Sequence, residues 1–422
     1  MNFKQILSKG DLTYIVSIAA LIIMPLHIQY LPPFMILWGI FWIFENNLRF
    51  NVIMVSGQKS KMLFALFIVY YIWQVAGLIY SADIKMGLSN LFSRLSLVLF
   101  PLVLIFPGDM IKSRGRILLR TFALSTFLFM IFCFCFALYR SVHIQDGSWN
   151  FNPHLPEYPW LSYFYGSDLV VTQHPSYIAM YVLLSVLICF EAWFDYSLKY
   201  WIRIRWLLIG LLLLISQYFL SSRAGILISL VLIPFYFMRK FRKHQRKRFA
   251  WIGIILLILI LLPLIVKNWR VGSLYNSFFN EEQANKESRE GDRLIIWKSA
   301  LTIARQNSIF GIGIGDVRTE LTRQYEKIGE EKLAKEKFNA HNQFLEVLLE
   351  NGIIGLLIFI SIFLVMAYIA IVDKNLLFGM FIMMIFMFFL FETVLYRLAG
   401  VSFFSLFTFL LIHIKNDKQL EI

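Results

Sequence analysis

EVLLENGIIGLLIFISIFLVMAYIA, residues Glu346–Ala370, is the stretch whose reading decides the fold. From Asn351 to Ala370 it carries no charged side chain. That is close to the ~20 apolar residues an α-helix needs to cross the ~30 Å hydrocarbon core of a bilayer. In lipid every backbone N–H and C=O must be bonded within the protein, which leaves helices or a closed barrel. Barrel strands need only about ten residues, alternating apolar and polar, and this stretch does not alternate.

Working outward, similar runs recur along the whole chain. We read spans near 12–29, 31–45, 62–80, 88–106, 117–138, 174–194, 204–220, 224–238, 249–266, 346–370, 375–391 and 399–414. The expected fold is therefore an all-α polytopic membrane protein of about twelve helices. The runs at 31–45 and 224–238 are short, as expected of less tilted or partly re-entrant segments. Composition agrees: 59% of the 422 residues are hydrophobic and 42 are Phe. A water-soluble body of this size is nearer one half apolar. Cys133, Cys135 and Cys189 all fall inside apolar runs and read as small core residues, not as a disulfide frame or metal site. The first apolar run, from near Leu12, is followed at once by another, so it reads as a retained span and not as a cleaved signal.

The net charge of +14 raises the question of nucleic acid. The positive-inside rule accounts for it instead. With the N-terminus inside, the cytoplasmic loops hold Arg49, Lys59 and Lys61, then Lys112, Arg114, Arg116 and Arg120, then Lys199, Arg203 and Arg205, then the basic run 239–248. The short outer loops hold only Lys85, Arg140, Arg223 and Arg397. An even number of spans returns Lys415 and Lys418 to the inside. No stripe of Arg and Lys interleaved with aromatics marks a nucleic-acid face.

Three parts follow: residues 1–266 with spans one to nine, a large outer loop over 267–345, and residues 346–422 with the last three spans. The loop is too long and too charged to be a mere connector. A second outer segment, Arg140–Thr172, is rich in Trp, Tyr, Pro and Gly. Its aromatics suit either sugar stacking or an interfacial belt. No internal repeat is visible, so the inverted halves of many secondary transporters are not in view.

The chemistry-bearing residues gather on the outer side. Arg223 sits in Ser221-Ser222-Arg223-Ala224-Gly225, a tight turn between apolar spans, where a guanidinium needs an anionic partner or must snorkel to lipid phosphate. Arg293 and Trp297 are four apart and share a face of a helix running to Gln306. Gly311-Ile-Gly313-Ile-Gly315 lacks the spacing of a dinucleotide site and the Lys of a phosphate loop. It reads as a turn where backbone meets backbone or a lipid headgroup. Asn339-Ala-His341-Asn342 opens the helix that becomes the span at 346–370, with Asn339 as its expected N-cap. His341 has no second ligand at helical spacing, so a metal site is not indicated. Flanked by cations that hold a diphosphate, its imidazole suits a general base. Arg94 is expected to face the bundle interior, and Glu392 and Arg397 to pair with each other.

The order of these motifs resembles a known family. An outer Ser-Arg turn is followed by Arg-x-x-x-Trp, by Gly-x-Gly-x-Gly, and by His341-Asn342-Gln-Phe-Leu345-Glu346-Val-Leu-Leu-Glu350-Asn-Gly352-Ile-Ile-Gly355-Leu356. This is similar to the O-antigen ligase and polymerase superfamily of bacterial envelope enzymes. The resemblance implies a metal-independent, cofactor-free membrane glycosyltransferase in the bacterial inner membrane, with cytoplasmic termini and a periplasmic large loop. The implied donor is a glycan on undecaprenyl diphosphate. The implied acceptor is lipid A–core for a ligase, or another lipid-linked repeat for a polymerase. Carried over by motif, Arg223 and Arg293 would bind diphosphate and His341 would activate the acceptor hydroxyl. Arg289, four residues before Arg293, could exchange roles with it. His174, in Gln173-His174-Pro175, would be a site wall, and Asn342 and Gly313 would lie among the substrate-binding residues. A transporter of the lipid-linked glycan is the reading from a different class; it would place its ionisable groups near the midplane, often on broken helices.

Overall fold

The computed structural model describes residues 11–45, 57–104, 109–145, 147–241 and 289–414. The expected span at 249–266, the basic run beyond Phe241, loop residues 267–288, Arg49, Lys415 and Lys418 lie outside the described residues. The chain divides into two compact units, one of residues 1–49 and 107–259, the other of 50–106 and 260–422.

The first unit is built round α8 (Pro175–Trp193), which is apolar on all sides and buried almost throughout. Against it pack α6 (Asp109–Ser141), α9 (Tyr200–Leu220) and α10 (Arg223–Lys240), while α1 (Asp11–Leu26) packs on α6 and on α2 (Leu31–Glu45). The last carbonyls of α1 have no partner within the helix. The Gln173 amide donates to two of them, Met24 at 2.9 Å and Pro25 at 3.1 Å. Between α8 and α9, Asp195 accepts from Arg120 at 2.5 Å and from the Ser197 hydroxyl and N–H. Burial alone would raise the Asp195 carboxyl, but the Ser197 and Arg120 hydrogen bonds hold it below its ordinary value. A two-stranded hairpin, β1 (Val142–Gln145) with β2 (Ser148–Phe151), follows α6 directly, and a short α7 (Gly166–Leu169) comes next.

The second unit contains α3 (Gln58–Ala76), α4 (Ile84–Arg94), α5 (Ser96–Leu104), and α14 (Gln343–Val372), which packs on α3. It also holds α15 (Leu376–Phe391) and α16 (Leu398–Ile412), the latter against α5. The described part of the large loop is helical: α11 (Arg289–Gln306), α12 (Val317–Lys327) and α13 (Glu331–Glu336). These close over their own core of Ile296, Ala300, Ile303, Leu321, Tyr325 and Leu333, which also takes in Leu349 of α14.

α14 is broken at Gly352, where φ is 63° and ψ is −167°. The opened backbone is bonded by the glycine loop, in the manner of paired strands. Ile312 N–H donates to Leu349 O at 2.7 Å, Gly313 N–H to Glu350 O at 3.2 Å, and Ile353 N–H to Ser308 O at 2.8 Å. A side chain at Gly311 would lie 2.5 Å from Leu349 O, and one at Gly352 would lie 2.1 Å from Ile309 O. The glycines thus serve close backbone approach. Beyond them, Asp316 accepts from the N–H of Ala82 at 2.7 Å and of Asp83 at 2.8 Å, so the loop is also bolted to the turn before α4.

Among the described residues five helices are long and apolar enough to cross a membrane: Ile84–Leu104, Arg114–Ser141, Pro175–Trp193, Tyr200–Leu220 and Gln343–Val372. Four shorter apolar helices, Leu12–Leu26, Ile28–Phe44, Leu376–Phe391 and Leu398–Ile412, lie at other expected spans.

The break at Gly352 is testable by contrast with Gly329, which also has positive φ but open space where a Cβ would sit. Gly329→Ala should cost only the backbone penalty of about 1–2 kcal/mol. Gly352→Ala adds a backbone collision and should cost more than about 3 kcal/mol. Thermal unfolding of the two purified variants checks the difference.

Candidate functional site

The second unit carries a buried ion pair inside its apolar bundle. Arg94, at the end of α4, donates from both terminal nitrogens to the two carboxylate oxygens of Glu350, each at 2.6 Å. Both side chains are 1% exposed. The third guanidinium nitrogen, Nε, donates to Leu395 O at 3.2 Å. A buried charge is tolerable only when fully paired, and this fork-to-fork geometry meets that condition. Glu346, one turn earlier on α14, is also buried and accepts from the Ala340 N–H at 3.2 Å. A cavity of about 10 Å³, roughly one water in size, lies beside Glu346 and Glu350 and is also lined by Asn90, Ile314, Asn339 and Tyr396.

Leu395 lies in the single 3₁₀ turn (Val394–Tyr396) of the link between α15 and α16, and this link collects the rest of the polar chemistry. The Asn342 amide donates to Leu390 O at 3.2 Å and the Asn339 amide to the Thr393 hydroxyl at 2.6 Å. The Leu395 N–H donates to Gln343 Oε1 at 2.7 Å. Arg293, on α11, reaches over and donates to Phe391 O at 3.3 Å. Trp297, one turn on, donates to Ala340 O at 3.1 Å. The expected shared face of Arg293 and Trp297 is therefore turned toward the 340–343 turn and the link.

His341 stands in that turn. Its φ is 45°, a left-handed backbone that non-glycine residues seldom adopt. Its N–H donates to Asn339 Oδ1 at 3.2 Å, an Asx-type turn that holds it there. The ring Nδ1 is buried and has no hydrogen-bond partner at bonding distance; the Glu392 carboxylate lies 3.6 Å away. The imidazole is 27% exposed, so it keeps one side open. A carboxylate facing one imidazole nitrogen favours the ring orientation that turns that nitrogen toward it. Glu392 directly follows Phe391, whose carbonyl takes Arg293, so three chemistry-bearing side chains converge on this one link.

Other expected residues fall differently. The N-cap of α14 is Asn342 and not Asn339: Asn342 Oδ1 accepts from the N–H groups of Phe344 at 2.9 Å and Leu345 at 3.1 Å. Asn339 is displaced from that role because the left-handed turn at His341 intervenes. The Asn342 side chain is thus committed to capping and to the link. Gly313, with φ 99°, is committed to packing on Ser81, whose hydroxyl would lie 2.3 Å from an added Cβ. Arg94 faces the bundle interior, as expected. Glu392 faces His341, and Arg397 is exposed. Arg289 opens α11, but its side chain lies outside what is described.

Arg223 and His174 belong to the first unit. Arg223 is the first residue of α10, whose N-cap Ser222 accepts from Gly225 N–H at 3.2 Å. The N-terminus of a long helix is an anion-favouring position. His174 caps α8, its Nδ1 accepting from Ser176 N–H at 3.3 Å. Among the described residues no three His, Cys, Asp or Glu side chains converge as a metal site would require.

Fold and site together define a helical membrane protein with a polar centre where the helices α11–α13 meet the head of its longest candidate span. Residues 207–360 match the family model described as O-antigen ligase. The matched stretch takes in Arg223, Arg293, His341 and Glu350. No curated protein matches the chain.

The buried pair yields a double-mutant test. Glu350→Gln alone leaves Arg94 buried and unpaired, and should cost about 3–5 kcal/mol. Arg94→Met with Glu350→Met should cost clearly less than the sum of the single changes, because no charge is stranded. Unfolding in detergent of the single and double variants measures it.

Proposed function

We propose that the protein transfers a glycan from undecaprenyl diphosphate to an acceptor hydroxyl on the periplasmic face of the inner membrane, in the manner of an O-antigen ligase acting on lipid A–core. The observation that carries this reading is the His341–Glu392 pair beside Arg293, in a chain that matches the O-antigen ligase family model.

In this reading His341 takes the proton of the acceptor hydroxyl as its oxygen attacks the anomeric carbon. The bond from that carbon to the diphosphate oxygen breaks, and undecaprenyl diphosphate leaves with the electron pair. Glu392 holds the imidazole in place and balances the imidazolium that forms. Arg293 has spent one N–H on Phe391 O, and its remaining donors are suited to bidentate binding of the diphosphate. The motif resemblance offers Arg223 as the second diphosphate ligand, Arg289 as the residue that exchanges roles with Arg293, and His174 as a site wall. Stabilising the leaving charge by fixed guanidinium groups supplies the main catalytic effect without a metal. The donor linkage already stores the energy, so no nucleotide is needed. The twelve-span arrangement with cytoplasmic termini is supported by the basic-loop pattern.

A polymerase using a second lipid-linked repeat as acceptor has the same chemistry. Deletion in the native cell separates the two: long glycans held on the carrier and missing from lipid A–core mark a ligase, and loss of the lipid-linked ladder marks a polymerase.

The test of mechanism uses full-length protein in nanodiscs, a defined undecaprenyl-diphosphate glycan, separate acceptors, and products read by mass. His341→Ala should lose on the order of 10²- to 10⁴-fold in rate. Glu392→Gln should lower kcat by roughly tenfold or more with little change in KM, as for a group that positions another. Normal transfer by correctly inserted His341→Ala would remove the assignment.

A further inference from the structure

The first unit contains a sheet face that the reading above does not use. In the β1–β2 hairpin, Ile144 pairs with Trp149 and Val142 with Phe151, while His143 pairs with Asn150. Successive strand residues point to opposite faces. One face is therefore Val142, Ile144, Trp149 and Phe151, all apolar, and the other carries His143 and Asn150. Ile144 is 70% exposed, Trp149 78% and Phe151 56%. A lone two-stranded hairpin is marginal in water, so an uncovered apolar face of this kind calls for a partner.

The position of the hairpin indicates which partner. In α6, Arg120 and Arg140 bracket the uncharged run Thr121–Tyr139. At ~1.5 Å per residue this run is roughly 28 Å long, the thickness of the hydrocarbon core. Leu128, Phe132, Cys135 and Tyr139 recur at helical spacing on it and are all exposed, a stripe that faces lipid. Ser141 ends α6, and β1 begins at the next residue with no linker. The Ser141 carbonyl also accepts from Asn152 N–H at 2.8 Å, which ties the far strand to the helix end. Arg140 is clamped between the Phe136 and Tyr163 rings and donates to Asp168 O, so the following loop is held at the same level. The hairpin is therefore fixed within a few ångströms of the point where α6 leaves the hydrocarbon.

We propose that this hairpin is a lipid-binding foot, its Ile144–Trp149–Phe151 face seated in the headgroup–acyl boundary of the leaflet where α6 emerges. Indole and phenyl rings favour that boundary. A sugar platform would need several polar groups beside the rings to bond hydroxyls, and among the described strand residues this face brings only the Trp149 indole N–H. A second copy is disfavoured because the hairpin follows directly on α6, whose exposed apolar stripe calls for lipid as its partner.

The test uses the full chain with Cys133, Cys135 and Cys189 changed to Ala, reconstituted at one copy per nanodisc. An environment-sensitive dye is attached through Trp149→Cys, Phe151→Cys, His143→Cys or Asn150→Cys in turn. Dyes at 149 and 151 should be blue-shifted and quenched by headgroup-proximal doxyl lipid several-fold more than dyes at 143 and 150. The latter should be quenched by aqueous iodide, and this alternation also reports that the hairpin is formed. Equal iodide access at all four positions overturns the proposal. So does protection that arises only with two copies per disc, which assigns the face to self-association. Protection that requires added soluble glycan overturns it in favour of a sugar platform. No readout here depends on glycan transfer, so either proposal can fail without the other.

Discussion

The bidentate contact between Arg94 and Glu350 is the constraint around which the second unit is arranged. Two full charges inside an apolar bundle are costly, by several kcal/mol for each ion if either loses its partner. The fold meets that cost with three hydrogen bonds from one guanidinium to acceptors on α14 and in the link before α16. That arrangement fixes three elements far apart in sequence relative to one another. It also explains why the neighbouring backbone is irregular. Glu350 lies two residues before the break at Gly352, and the glycine loop fills the opened hydrogen bonds there. A regular helix through this point would leave the loop without its three backbone hydrogen bonds to the span.

Rigidity at the break is passed to the site through the link between α15 and α16. The residues from Leu390 to Leu395 are bonded by Asn342, Arg293, Asn339, Gln343 and Arg94 in turn. Glu392 sits in the middle of this series and is the group that faces His341. Fixed polar groups in a medium of low dielectric contribute more than mobile ones in water, because they need not reorganise as charge develops. The left-handed backbone at His341 fits the same picture. A strained conformation survives only where its surroundings over-determine it, and such positions gather at functional sites.

The long-range packing of the site was less legible in the sequence than its residues. Hydropathy located the helices because lipid imposes the same requirement on every span. The helix ending at Gln306 and its Arg293–Trp297 face followed from periodicity, and the glycine loop was readable as backbone approach from its failure to fit any phosphate motif. Asn339 and Asn342 are chemically identical candidates for one cap, and only the turn at His341 separates them. Glu392 was matched with Arg397 because they are neighbours in the chain, whereas its partner in space comes from fifty residues earlier, roughly the span length that a turn-by-turn reading cannot cross. The hairpin had a local signature, since Asp146-Gly147 lies between alternating segments. Its dense aromatics and prolines drew the reading toward an irregular loop.

A buried ion pair next to a broken helix is also what a transporter would display, so that alternative has to be weighed on the geometry. A translocation site must exchange its ligand, and its charged groups therefore keep free bonding capacity and open space. Arg94 and Glu350 are closed off: each is 1% exposed, and each terminal nitrogen of Arg94 is on a Glu350 carboxylate oxygen. The adjoining cavity, at about 10 Å³, admits roughly a single water. The break at Gly352 is filled by protein backbone and does not line a passage. The groups with spare capacity are Arg293 and the open side of His341, and both lie at the head of α14. Charge closed off within the bundle and available at its end is the distribution expected when the bundle serves as scaffold and the chemistry is done at the surface.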